Sequence, residues 1–222
     1  LEKLIQNVAE NKSNVFVETL VTPSTTSAIA HAIQQPGISG QPNNMILFEY
    51  KRGESEWLSE IFDNYNLIKT IGLDIGILST SDRGFGYKKD IHIWIRKEDF
   101  ENANLMILLS NIILGHSEWK KGEIKIYAAF PVEHLEEEQN LLIQLVSTGR
   151  LPISTNNIYV LPLDVSKSKI DLINEYSADA DLTLIGFHES IIKSENRIKL
   201  FEGYDKLGNI LFVNTLKTKM IK

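Results

Sequence analysis

A glycine- and proline-rich loop is the first stretch whose residues suggest chemistry, and it contains Gly37, Gly40 and Pro42. Such loops bind phosphate when they leave a strand and open a helix, because the helix N-terminal amides then point at the anion. Here the order is reversed, since a predicted helix over 24–35 precedes the glycines and a predicted strand over 45–50 follows them. The negative end of the helix dipole disfavours phosphate. We therefore interpret the loop as a helix C-cap and turn, with a nucleotide-binding loop as the alternative.

Two later strands end in residues that are candidates for an acid–base pair. Gly186-Phe-His188 ends a predicted strand over 181–187, and Asp164 follows a predicted strand over 157–163. Ligands of open α/β sheets bind outside the carboxyl ends of strands, so Asp164 and His188 are candidates for proton transfer. No Gly-x-Ser-x-Gly nucleophile elbow occurs, and no two histidines have metal-ligand spacing. The sequence therefore predicts no catalytic residue, no metal site and no cofactor.

The hydroxyl-rich segment Thr22–Ser27 lies at the start of the predicted helix over 24–35 and is typical of a helix N-cap. A bound anion or a phosphorylated serine is the alternative interpretation. If the chain did bind a nucleotide, the strand ends would be the expected place for it. The residues of that expected site are Thr22–Ser27, Lys51, Arg52 and the loop Thr80–Arg83.

Two further groups of polar residues have a structural interpretation. His92 alternates with isoleucines in a predicted strand over 91–95, so a histidine packed on one sheet face is favoured over a catalytic or metal-binding one. The acidic residues Glu133, Glu136, Glu137 and Glu138 fall in the first turns of a predicted helix, where carboxylates favour the dipole. We interpret them as a solvated helix start rather than a metal site.

Strand and helix patterns alternate along the whole chain. The predicted strands cover 15–21, 45–50, 71–78, 91–95, 123–129, 157–163, 181–187 and 209–214. The predicted helices cover 24–35, 55–70, 103–114, 133–148, 166–176 and 189–196, after an opening helical pattern formed by Leu1, Leu4, Ile5 and Val8. This alternation predicts parallel strands joined by crossover helices.

The expected fold is α/β, with two subdomains that are each a mainly parallel sheet with crossover helices. The first covers residues 1–119 and the second covers residues 120–222. The opening helix has no cap and no initiating methionine, so we expect the segment to be cut from a longer polypeptide and its first subdomain to lack an upstream element.

Composition excludes several functions. The net charge of −6 and the absence of a basic stripe argue against a nucleic-acid partner. The chain has no cysteine, which excludes disulfides, thiolate zinc sites and cysteine nucleophiles. Its longest apolar run, Leu105–Leu114, is about half the length that a bilayer crossing needs, so we expect no membrane insertion by this segment.

A family resemblance extends over residues 31 to 127. The glycine loop resembles the Gln-x-x-Gly-x-Gly-Gly-x-x-Pro-Asn-Thr stretch in the cytosolic C-terminal domain of cation-chloride cotransporters. The matching residues are His31, Ile33, Gln34, Gly37, Gly40, Pro42, Asn43 and Met45-Ile46-Leu47. A later part resembles that family's Ile-Asp-Ile-Trp, Leu-Met-Leu-Leu and Trp-x-x-Cys-x-x-Arg-Ile-Phe run. It consists of Ile91–Trp94, Leu105–Leu109, Ile112-Ile113 and Trp119–Tyr127.

The sequence departs from the family pattern at several positions. His92 stands for the family's Asp, Asn44 for its Thr, Ser110 for its Pro and Gly122 for its Cys. The glycine loop is also one residue shorter, and residues 128–222 match only in general pattern.

The resemblance implies a non-catalytic regulatory domain of a prokaryotic cation-chloride cotransporter, similar to the Na-K-Cl type. Such a domain lies at the cytoplasmic face of the cell membrane, forms a homodimer and contacts the membrane domain of its own transporter without transporting ions itself. Family members are similar in fold to universal stress proteins, many of which bind ATP, so a nucleotide-binding stress protein is the alternative. The stress-protein signature is Gly-x-x-Gly followed downstream by Gly-Ser or Gly-Thr. Gly37 and Gly40 have the first spacing but precede a strand, the downstream pair is absent, and Gly186 lacks a second glycine.

Overall fold

A computed structural model describes residues 6, 17–35, 37, 40–54, 56–96, 100–148, 154–163 and 167–216. Within them, strands and helices alternate. The strands are β1 (Met45–Lys51), β2 (Asp74–Thr80), β3 (Asp90–Trp94), β4 (Glu123–Phe130), β5 (Ile158–Pro162), β6 (Leu182–Gly186) and β7 (Asn209–Asn214). The α-helices are α1 (Thr25–Ala32), α2 (Glu56–Asp63), α3 (Tyr65–Ile71), α4 (Phe100–Leu114), α5 (Leu135–Thr148), α6 (Lys169–Tyr176) and α7 (Glu189–Ile192). Short 3-10 turns cover Ser117–Trp119, Val132–His134, Thr155–Asn157 and Arg197–Phe201.

The seven strands form one sheet in the order β1-β2-β7-β6-β3-β4-β5. Strands β3 to β7 are parallel to one another, and β1 is parallel to β2. The two groups meet where β7 pairs antiparallel with β2, with Ile77 opposite Phe212. The predicted α/β fold with mainly parallel strands is therefore confirmed.

The described chain has one sheet where the sequence analysis expects two. The last strand of the chain, β7, inserts between β2 and β6, so strands from both predicted subdomains are hydrogen-bonded to each other. Hydrophobic periodicity identifies a strand but does not identify its neighbour, which is why this pairing was missed. The boundary at residue 119 itself stays a prediction.

The predicted elements between residues 24 and 214 are found within a few residues of their expected bounds, with the predicted helix over 55–70 divided into α2 and α3 at Asn64. The strand expected over 15–21 is wrong for its described part, because residues 17–22 are in no strand. Glu18 to Val21 are exposed, and β-branched residues favour a strand only on a packed, pleated surface. Residues 15 and 16, and the opening helix apart from Gln6, lie outside the described residues.

Helices cover both sheet faces, and the alternation of side chains decides what each face packs against. Ile91, Ile93 and Ile95 belong to the core beneath α4 and α5. Trp94 belongs to the other core, which holds residues of α2, α3, α6 and α7. This period of two places His92 on the same face as Trp94, as predicted. None of the described helices is both long and apolar enough to cross a membrane.

Candidate functional site

The strand order defines one place where an α/β sheet of this kind would bind a ligand. From β3 the chain proceeds outward to β4 and β5, whereas β6 and β7 extend the sheet in the opposite direction. Strands β3 and β6 are adjacent, with Ile93 opposite Leu184, and form a topological switch point. Ligands of open α/β sheets bind outside the carboxyl ends of such strands. The candidate site therefore lies around residues 95–96 and 186–188.

Side chains of the chain itself occupy the backbone acceptors at this switch point. Arg96 Nη2 donates to the Gly186 carbonyl at 2.7 Å. The amide nitrogens of Asn102 and Asn214 both donate to the Phe187 carbonyl, at 3.0 and 2.8 Å. Since buried carbonyls need a partner, these contacts satisfy the acceptors and stabilise the strand ends.

The same network ties the end of β7 to the helices around it. Asn102 Oδ1 accepts from the Thr215 amide at 2.7 Å, and Asn214 Oδ1 accepts from the Tyr65 hydroxyl at 3.0 Å. Burial raises the pKa of Tyr65 to about 12, so its hydroxyl keeps the proton that it donates. Asn102 is 2% exposed. Its contacts could not be predicted, because the sequence around a single polar residue in an apolar helix does not indicate which groups that residue binds.

Only one residue of the predicted acid–base pair, His188, is among the described residues. His188 is exposed and caps α7, where its Nδ1 accepts from the Ser190 amide at 3.2 Å. Asp164 lies outside the described residues, so the pairing remains a prediction. Among the described residues, no group of three His, Cys, Asp or Glu side chains has a metal-binding arrangement.

The hydroxyl cluster has its expected capping role. Ser24 is the N-cap of α1, and its Oγ accepts from the Ser27 amide at 3.2 Å. Thr25 Oγ1 also donates to the Glu60 carboxylate. The same cluster lines an open apolar groove beside β1, which the sequence analysis did not anticipate.

The other strand-end residues surround a separate cavity of about 350 Å³ at the ends of β1 and β2. Arg52 donates to the carbonyls of Tyr204, Leu207 and Gly208 at 2.5 to 3.0 Å. Arg83 donates to the carbonyls of Ala178 and Ala180. These guanidinium groups therefore join loops that are distant in sequence.

One lysine that lines this cavity is paired with a carboxylate. Lys51 Nζ lies 3.1 Å from Asp82 Oδ1. Since Arg52 and Arg83 already donate to loop carbonyls, the cavity has fewer free guanidinium donors than its composition suggests.

The glycine loop lies between α1 and β1, as the sequence predicts. The Gly40 amide donates to the Gly37 carbonyl at 2.9 Å, and Gly40 has φ of 72°. A side chain at Gly37 would come within 2.3 Å of the Gln41 carbonyl oxygen. Both glycines therefore serve a tight turn after the helix, but the predicted glycine C-cap is wrong, because the C-cap of α1 is Ile33 in a right-handed helical conformation.

Three of the four glutamates that were predicted to form a solvated helix start are exposed, and the fourth is buried. Glu133 lies in a 3-10 turn before α5, and Glu136 and Glu137 are exposed in its first turn. Glu138 is only 3% exposed and lines a small cavity with His134 and Lys169. Positions 135, 138 and 142 share one helix face, so Glu138 turns inward with the apolar residues.

His92 is buried within a set of aromatic rings. Its Nδ1 lies 2.9 Å from Ser177 Oγ, which also accepts from Trp94 Nε1 at 2.8 Å. Its ring centroid is 4.9 Å from that of Tyr127. Burial, followed by the nearby positive charge of Lys125, lowers the pKa of His92 to about 4. The predicted packed histidine is confirmed.

A pH dependence of stability follows from this shift. The unfolded histidine protonates near pH 6.5 but the folded one only near pH 4, so the unfolded state binds more protons between these values. His92 therefore contributes stability that is fully present above pH 6.5 and is lost as the pH falls towards 4. We expect the unfolding free energy to fall by about 2 kcal/mol from this group between pH 8 and 5.

Urea unfolding at several pH values measures this loss. The variant His92→Gln should lack this component of the pH slope. Identical slopes in wild type and His92→Gln would contradict the assignment.

Comparisons with known proteins identify the class of fold. No protein-family model matches the sequence, and no curated protein matches it. Among solved structures, the cytoplasmic domain of a prokaryotic cation chloride cotransporter is similar, with a TM-score of 0.67 at 14% identity, over 99% of this chain and 82% of the other. A candidate universal stress protein from Pseudomonas aeruginosa has a TM-score of 0.56 at 17% identity, over 95% of this chain and 76% of the other.

A universal stress protein from Archaeoglobus fulgidus is also similar, with a TM-score of 0.50 at 10% identity, over 95% of this chain and 74% of the other. At these identities the likeness is one of fold. The chain therefore has an α/β fold of the universal-stress-protein type. More particularly, it resembles in fold a cotransporter cytoplasmic domain over nearly its whole length.

Proposed function

We propose that this chain is a non-catalytic regulatory domain of a cation-chloride cotransporter, placed at the cytoplasmic face of the cell membrane. The domain forms a homodimer and contacts the membrane domain of its own transporter. The fold likeness to a cotransporter cytoplasmic domain and the resemblance of residues 31–127 both support this membership.

One observation carries the non-catalytic part of the proposal. The switch point is where a fold of this type binds ligands, and here Arg96, Asn102 and Asn214 use its backbone acceptors for structure. At the second candidate place, Arg52 and Arg83 are bound to loop carbonyls. Both arrangements favour a scaffold that other surfaces use for contact.

The competing function is nucleotide binding, which the strand order and the stress-protein likeness favour. Calorimetric titration with ATP, ADP and AMP separates the two. We expect no saturable binding heat, because Arg96 donates to the Gly186 carbonyl at the switch point, and Arg52 and Arg83 donate to loop carbonyls at the second place.

A dissociation constant in the low micromolar range, about −8 kcal/mol, would contradict the proposal and favour the stress-protein function. Repeating the titration with Arg96→Gln and Arg52→Lys would then locate the nucleotide. Loss of heat in the first variant assigns it to the switch point, and loss in the second assigns it to the cavity beside β1 and β2.

A further inference from the structure

Stacked aromatic rings cross three neighbouring strands and reach the end of the described sheet. Trp94 of β3 stacks on Tyr127 of β4 with ring centroids 5.1 Å apart, and Tyr127 stacks on Tyr159 of β5 at 5.0 Å. The ring planes of each pair differ by 18°. The three residues are direct partners in the parallel strand pairs, so their side chains share one face of the sheet. The stack therefore runs along one sheet face to the outermost described strand.

The stack is buried at one end and exposed at the other. Trp94 is 3% exposed and Tyr127 6%, whereas Tyr159 on β5, the last strand of the described sheet, is 39% exposed. Tyr176, at the end of α6, is 43% exposed, and its ring centroid lies 6.1 Å from that of Tyr127. The Trp94 indole nitrogen donates to Ser177 Oγ at 2.8 Å, which holds the buried end in place. Two exposed rings therefore flank a fixed, buried ring.

The charges around these rings are mostly negative. The ring of His92 lies 4.9 Å from that of Tyr127, on the same face. The charged groups whose electrostatic effect reaches His92 are one ammonium and three carboxylates, which belong to Lys125, Asp90, Glu123 and Asp179. Lys125 Nζ lies 2.6 Å from Asp90 Oδ1 and 2.8 Å from Glu123 Oε1. Three carboxylates against one ammonium leave a negative balance, which attracts cations.

We propose that the aromatic surface formed by Tyr127, Tyr159 and Tyr176 binds an arginine side chain of a basic protein segment. The face of a tyrosine ring carries partial negative charge and attracts cations, and a planar guanidinium also stacks on it. The chain contains one such contact of its own, since Arg197 Cζ lies 5.7 Å from the ring centroid of Phe62. At the aromatic surface, the nearby carboxylates add to the attraction.

Charge and shape select arginine among the groups that bind to aromatic rings. A nucleobase also stacks on tyrosine, but the phosphates of its nucleotide would meet the carboxylates of Glu123 and Asp179. A proline-rich segment would gain nothing from these carboxylates. Lysine carries the charge but lacks the planar group that stacks. An arginine side chain uses both the rings and the carboxylates.

The membrane domain of the proposed transporter is the expected source of this arginine. Cytoplasmic loops of membrane proteins carry an excess of Lys and Arg. This source rests on the proposed function, in which the domain contacts its own membrane domain, whereas the binding of arginine does not. Two parts of one polypeptide meet at an effective concentration on the order of 1 mM, so a dissociation constant near that value would be enough.

Titration of the purified chain with short peptides tests the surface. The probe is a peptide of alternating glycine and arginine, and NMR of the tyrosine ring protons follows its binding. The control peptides carry lysine, which keeps the charge, or citrulline, which keeps the planar shape without the charge. We expect the arginine peptide to bind with a dissociation constant of about 1 mM or below. The lysine peptide should bind about threefold and the citrulline peptide about tenfold more weakly.

Matched variants locate the bound arginine. Tyr159→Ala should weaken binding about tenfold, whereas Tyr159→Phe keeps the ring face and should bind like wild type. Trp57→Ala removes an aromatic side chain that is 51% exposed beside β1, at the other end of the described sheet, and should also bind like wild type. Asp179→Asn removes a carboxylate without changing a ring, and we expect about threefold weaker binding. Equal melting temperatures would show that the variants are folded.

Several outcomes would overturn the proposal. These are no saturable binding of the arginine peptide, equal binding of its citrulline form, or equal losses in Tyr159→Ala and Trp57→Ala. Displacement of the peptide by ATP, with shifts of the same tyrosine rings, would mean that a nucleobase is the occupant. Peptide binding by a chain that cell fractionation places outside any transporter would keep the arginine surface and overturn only the source of the arginine.

Discussion

Replacing Asp181 by alanine is expected to destabilise the chain by about 4 kcal/mol. This carboxylate is 6% exposed and lies just before β6. Its Oδ1 accepts from the Tyr87 amide at 2.8 Å, and its Oδ2 accepts from the amides of Lys89 and Asp90 at 2.7 and 3.0 Å. Alanine leaves three backbone donors without their charged acceptor, which costs more than a single lost hydrogen bond.

The loop that Asp181 holds joins β2 to β3, and its packing is close. A side chain at Gly86, which has φ of 50°, would come within 2.1 Å of Asp181 Oδ1. Chemical denaturation at pH 7 measures the loss, and Asp179→Ala, at an exposed aspartate nearby, is the control. A loss below about 1 kcal/mol for Asp181→Ala would show that the loop does not depend on these contacts.

The second large effect is expected at Arg52. Arg52→Ala removes the donors for three carbonyls between Tyr204 and Gly208, a segment whose residues Leu207 and Gly208 are buried. We expect a loss of about 3 kcal/mol, because hydrogen bonds from a charged donor are among the stronger ones.

A neighbouring lysine provides the control for Arg52. Lys51 pairs with Asp82, but their side chains are 57% and 91% exposed, and such surface pairs contribute little. Lys51→Ala should therefore change the unfolding free energy by less than about 0.5 kcal/mol. Equal losses in the two variants would indicate that the carbonyl contacts of Arg52 have no special weight.

Local elements were largely predictable from the sequence, whereas their long-range partners were not. Alternation along β3 was enough to place His92 in the packed face, and the hydroxyl pattern around Ser24 was enough to identify a cap. The position of β7 between β2 and β6 depends on pairing between residues that are far apart in sequence. Periodicity carries no information about that choice.

At the candidate site, too, the sequence predicted some of the residues but not their long-range contacts. Arg52 and the loop Thr80–Arg83 were predicted as the place of a nucleotide, if the chain bound one, because they lie at the ends of predicted strands. In the fold, Arg52 donates to carbonyls more than 150 residues away in sequence, which composition alone does not reveal. Asp181 and Asn102 were missed for a related reason, since each acts through backbone groups that any residue type supplies.

Membership of a transporter polypeptide is tested most directly by locating this chain in the cells that make it. An antibody raised against the 25.2 kDa domain would be used on fractionated cells. We expect the antigen in the membrane fraction, resistant to carbonate extraction, in a polypeptide much larger than the domain. An antigen of about 25 kDa in the soluble fraction would contradict membership of a cotransporter.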